Sequence, residues 1–154
     1  MIETTLTVDR DEVFEEVKRT SSYTGKKIDE AAATAEGQDT AYDRIRTTDA
    51  TKEQLERFFS EAASMATTYM QRYITSVSDV NNYVVVLSLT DRWDNKLASG
   101  MNKSLFSYFV SFILSRWFKI SNKEEADTYM ADANAMMDDV MRKIYYRSAP
   151  TRQG

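Results

Sequence analysis

The spacing of apolar side chains divides the chain into four helical stretches and two strands. Ile2, Leu6 and Val8 share one parity around Thr5 and Thr7, which predicts a short strand. Asp9 follows, with Glu12 three residues on, the pattern of a helix N-terminus. The first helix buries Val13, Phe14 and Val17 and is expected to fade near Ser21-Ser22. Between Thr24 and Ala50 the large apolar side chains thin to Ile28, Tyr42 and Ile45, so residues 24–50 read as an extended arm or loop. Within it a helical turn near Ile28–Ala35 and an extended piece around Tyr42–Arg46 are expected.

Thr51-Lys52-Glu53-Gln54 then opens a second helix, whose Leu55, Phe58, Phe59, Ala62, Ala66, Tyr69, Met70 and Tyr73 fall within an arc of roughly 120°. Glu53, Arg57 and Glu61 lie opposite, on a solvent face. Asn81-Asn82 marks a turn before Tyr83–Thr90, a strong strand whose expected partner is the N-terminal one. A third helix starts near Asp94 or Asn95 and runs to about Ile120; a fourth starts at Asn122 and runs to Tyr146 or Arg147, with Pro150 beyond it. The predicted architecture is mainly α: a single domain over 1–154, a bundle of about four helices with a small two-stranded antiparallel β element. Two strands cannot stand alone, so helices or another subunit must cover them.

Composition narrows the chemistry sharply. With no Cys and no His, disulfides, zinc-thiolate sites, histidine ligands and Ser-His or Cys-His dyads are all removed. In the fourth helix Glu124, Glu125, Asp127, Asp132, Asp138 and Asp139 fall on the side away from the apolar stripe, a solvated face that does not converge on a metal. Gly25-Lys26-Lys27 lacks phosphate-loop spacing and reads as a turn. No catalytic residue, cofactor site or metal site is expected, and the chain reads as non-enzymatic. The longest uncharged apolar-rich stretch, Ser104–Ser115, is too short to span a bilayer, and Met1–Thr5, with neither a basic nor an apolar run, is not expected to act as a targeting signal.

Charge and the third helix carry what functional signal there is. The formal net charge is −4, yet residues 141–154 hold Arg142, Lys143, Arg147 and Arg152 and no acid. An acidic body with a small basic terminus argues against phosphate-backbone binding as the main task. From Leu105 to Ile120 eleven of sixteen residues are apolar, with Leu105, Tyr108 and Phe112 pointing one way and Phe106, Ile113 and Trp117 nearly opposite. A helix apolar all round must be covered on every side. Either its own chain does so or a neighbouring subunit does, and the expectation favours a subunit interface at Phe106, Phe109, Ile113, Trp117 and Phe118. Tyr145, Tyr146, Arg147, Pro150 and Arg152 read as a partner-docking tail, with 148–154 beyond the helix, or else as a frayed terminus.

One resemblance follows from the order of these elements. The long amphipathic helix, Tyr83–Thr90, the aromatic helix ending Arg116-Trp117-Phe118, Lys123–Tyr129, and the closing Lys143–Arg147 with Pro150-Thr151-Arg152 resemble small structural proteins of tailed bacteriophages. Over roughly residues 40–152 the chain looks most like the head–tail adaptor (connector) proteins. The resemblance implies a ring, commonly twelvefold, under the portal at the head–tail junction of the virion, assembled in the bacterial host cytoplasm. It implies contacts with itself, the portal and neighbouring tail proteins, and DNA passing through without sequence-specific binding or any membrane. The N-terminal strand and the 24–50 arm fall outside it, which keeps open a stopper or tail-completion role. A small helical homo-oligomeric binding or regulatory module is the alternative.

Overall fold

The computed structural model describes residues 1–32 and 49–146, with side chains placed over 1–21 and 50–146. In chain order the elements are β1 (Ile2–Val8), α1 (Arg10–Ala32), α2 (Asp49–Met70), β2 (Ile74–Ser78), β3 (Tyr83–Leu89), α3 (Ala98–Phe118) and α4 (Lys123–Tyr145). The described residues are therefore mostly helical, with four long helices and one antiparallel sheet of order β1-β3-β2.

Local chemistry accounts for the boundaries. Asp9 Oδ1 accepts the backbone N–H groups of Asp11 and Glu12 at 2.9 and 3.1 Å, so the first turn of α1 has its free donors satisfied. Asn122 Oδ1 does the same for Glu125 N–H at 3.2 Å at the start of α4. A 3₁₀ turn, Asn95–Leu97, leads into α3, with Asp94 accepting from Lys96 N–H. Beyond Ser21 α1 runs on to Ala32, where a loop was expected from residue 24. Lys, Glu and Ala between positions 26 and 32 are strong helix formers even without large apolar side chains, and a single Gly25 costs only about 1 kcal/mol. Residues 33–48 of the expected arm, with the extended piece at Tyr42–Arg46, lie outside the described residues, and its last two, Asp49 and Ala50, belong to α2.

The sheet has three strands, not two. β1 pairs with β3 as expected, Ile2 opposite Leu89 and Val8 opposite Tyr83. The additional strand, β2, forms a hairpin with β3 and carries an irregularity between Ile74 and Ser76, where Thr75 Oγ1 donates to the Val86 carbonyl at 3.3 Å. Its sequence, Ile-Thr-Ser-Val-Ser, is short and almost wholly exposed, so it has no apolar face to announce it. At the opposite edge the Thr7 N–H is taken by Asn102 Oδ1 at 2.9 Å, a side chain of α3 standing where another strand would pair.

One face of the sheet is apolar: Leu6 and Val8 of β1 and Tyr83, Val85, Leu87 and Leu89 of β3 are buried against the helices. The core is aromatic. Phe14 of α1 meets Phe59 of α2 edge-on at 6.0 Å, and Phe109 of α3 lies 4.9 Å from Phe59 and 5.2 Å from Tyr83. Tyr83 is fixed at its far end by the Thr67 hydroxyl, 3.0 Å away. Thr67 spends its own proton on the Ala63 carbonyl, so the Tyr83 hydroxyl is the donor in that pair. Tyr69, which the spacing put on the buried stripe of α2, is exposed.

Candidate interaction surfaces

α3 lies at the centre of the molecule, packed by α4, α2, α1 and β1. Ten of its residues are buried, including Phe109, Ile113 and Phe118, which have no accessible surface left for a neighbour. Phe118 stacks on Tyr129 of α4 at 5.9 Å. These three residues are corrected from subunit interface to core: the chain's own elements cover them, Phe109 meeting Phe59 of α2 and Tyr83 of β3, and Phe118 meeting Tyr129 of α4. Phe106 and Trp117, the other two of the five, remain partly exposed.

Those two residues open onto separate recesses. Phe106 lines one of about 500 Å³ with Thr7, Asp9, Glu12, Asn102 and Lys103, beside the β1 edge. Trp117 lies next to a larger groove, about 520 Å³, between α2 and the last turns of α3. Phe58, Met65, Phe112 and Ile120 supply its apolar surface, and Arg57, Arg116 and Lys119 face Glu61 as the lone acid among its lining residues. Arg116 sits 5.0 Å above the Phe112 ring, and its buried Nε lies 3.4 Å from Glu61 Oε2 without completing a hydrogen bond. Ile120 is 98% exposed and Met65 44%, both large apolar side chains left in water. Apart from Trp117 the sequence reading missed this groove, because its walls come from two helices. The run Arg116-Trp117-Phe118-Lys119-Ile120 held the signal, cations interleaved with apolar side chains at a helix end.

A second exposed cluster closes the C-terminal end of α4. Tyr145 and Tyr146 are more than half exposed, and Tyr145 meets Tyr73 edge-on at 5.7 Å. Arg147, Pro150 and Arg152 of the expected docking tail lie outside the described residues. The last turn of α4 is anchored by Trp93, buried after β3, whose Nε1–H donates to the Lys143 carbonyl at 2.9 Å.

The acids of α4 do not all point to solvent. Asp139 Oδ2 accepts from Lys143 Nζ and from Ser104 Oγ, each at 2.6 Å, which ties α4 to α3. The Lys143 ammonium first, and then the Ser104 hydroxyl, hold the Asp139 carboxyl below the usual carboxylate range. A depressed folded value gives stability that is present above the unfolded pKa of about 4 and lost as pH falls through the lower folded one. The pair is about one-third exposed, so Asp139→Asn is expected to cost only about 0.5–1 kcal/mol at pH 7. Urea unfolding at pH 7 and at pH 3 checks this: the gap between variant and parent must shrink in acid.

Among the described residues no three His, Cys, Asp or Glu side chains are placed to share a metal ion. Nor is any described helix long and apolar enough to cross a membrane. The chain matches no protein-family model, no curated protein and no solved structure.

Proposed function

We propose that this chain is a non-enzymatic structural subunit, a head–tail adaptor of a tailed-phage particle that forms a ring beneath the portal. DNA would pass through that ring without sequence-specific contact. The α2–α3 groove carries the proposal: exposed Met65 and Ile120 beside three cations, on a chain of net charge −4, form a surface suited to a protein partner. The exposed Tyr145 and Tyr146, next to Arg142 and Lys143, support a second contact at the C-terminus, toward the portal. In the acidic body the same reading sees a channel wall that repels DNA and lets it slide.

The test is mass and shape. Light scattering and negative-stain images are to be taken of the full chain alone and mixed with the portal protein of the same gene cluster. A ring, or a complex on the portal, is the expected result. A monomer that ignores the portal overturns the reading, and a closed dimer that ignores it points to a small binding module instead.

A further inference from the structure

The link between β2 and β3 presents the other half of a contact. Residues 79–82 join the two strands, and at this tip Val80 is 81% exposed, with Val77 exposed on the preceding strand. Asp79, also exposed, lies between them. The base of the tip is held: Asn82 Oδ1 accepts the Arg10 N–H at 3.1 Å, and Tyr83 is fully buried. Two valines flanking a carboxylate on a fixed turn make a small apolar knob with one negative charge, and little ordering would be lost on docking.

The α2–α3 groove is its complement in both respects. Phe58, Met65, Phe112 and Ile120 offer an apolar bed, and Arg57, Arg116 and Lys119 outnumber Glu61. Arg116 is already paired with Glu61 through its buried Nε, 3.4 Å from Oε2, so the exposed Arg57 and Lys119 are the groove's cations left for a second carboxylate. The geometry points to a head-to-tail contact between copies of this chain, the β2–β3 tip of one seated in the α2–α3 groove of the next with Asp79 against the cations.

The acidic face of α4 is the rival occupant, and it fits less well. Glu124, Asp127, Asp132 and Asp138 are exposed there, but the large apolar side chains exposed on α4 and just beyond it are Tyr145 and Tyr146 at the C-terminal end, and the rest of the acidic face has none. Tip and groove share no residue, so every copy carries both halves and the contact repeats until the rotation closes. This inference rests on the ring reading above and names the surfaces that would build it.

Native mass spectrometry and light scattering on the full chain, over a concentration series, test it. Asp79→Lys, Val80→Asp and Lys119→Glu are each expected to raise the apparent dissociation constant about tenfold or more. All three side chains are exposed, so the melting midpoint should stay within about 2 °C of the parent. Combining Asp79→Lys with Lys119→Glu in one chain should recover part of the lost association. A tip-blocked chain (Val80→Asp) mixed with a groove-blocked one (Met65→Asp, Lys119→Glu) should give a one-to-one dimer that grows no further. Association of the parent that none of these variants disturbs overturns this contact and leaves the ring reading standing. A parent chain monomeric to about 1 mM, alone and with the portal protein, overturns both.

Discussion

Replacing Phe109 with alanine is expected to cost about 3–5 kcal/mol of unfolding free energy. The ring is fully buried and lies within 6 Å of three others, Phe59 on α2, Tyr83 on β3 and Tyr108 on α3 itself. Through Phe59 it reaches Phe14 of α1 as well. Removing it therefore empties the point at which three helices and the sheet meet, and each lost aromatic pair adds about 0.5–1.5 kcal/mol to the burial lost. Urea unfolding gives the measurement: the midpoint should fall while the slope is unchanged. The loss should also be independent of protein concentration, as befits a core residue and not an interface one. A cost under about 1 kcal/mol would mean that the four rings do not form the hub described here.

Trp93→Ala is expected to cost about as much, 3–5 kcal/mol, and its effect should be local as well as global. The indole is buried, and its N–H reaches the Lys143 carbonyl, which also accepts from Tyr146 N–H at 3.3 Å. Carbonyls in the last turn of a helix lack intrahelical partners, so the indole acts as a cap supplied from 50 residues away. Trp93→Phe separates the two contributions: it keeps most of the packing and removes the hydrogen bond, for about 1–2 kcal/mol. Hydrogen exchange at the amides of Ile144 to Tyr146 should speed up in both variants. Unchanged protection there in Trp93→Phe would show that the last turn of α4 does not depend on the indole.

Much of this architecture is legible in the chain, for reasons that differ by element. Asp9 and Asn122 are caps that work through a side chain and the two or three residues after it, so their local pattern was sufficient. β3 alternates buried and half-buried positions along all seven residues, and β-branched side chains mark it. β2 escaped because an exposed edge strand has no apolar parity to show. The far half of α1 escaped because helix propensity, not apolar spacing, carries it beyond Ser21. The misplacement of Phe109, Ile113 and Phe118 has a different cause. An all-round apolar helix says that it is covered but not by what, and pattern alone cannot distinguish other elements of the same chain from a neighbour. The α2–α3 groove was unreadable for a related reason: Met65 and Ile120 are far apart in sequence and become one surface only through packing.

The pairing of β1 with β3 has a consequence for synthesis. β1 leaves the ribosome well before the residues that pair with it: Leu89 to Tyr83 along the sheet, and Asn102 for Thr7, 95 residues downstream. The β2–β3 hairpin and the α3–α4 pair join neighbours in the chain, and contacts of that kind close early. β1 therefore waits for its sheet until more than half of the chain has been made. During that wait Ile-Glu-Thr-Thr-Leu-Thr-Val is a nascent strand without a sheet, the kind of segment that recruits copies of itself on a polysome. Glu3 and the threonines at every second position make it a poor template for that, so the residues that face water in the finished protein also guard the chain before it is finished.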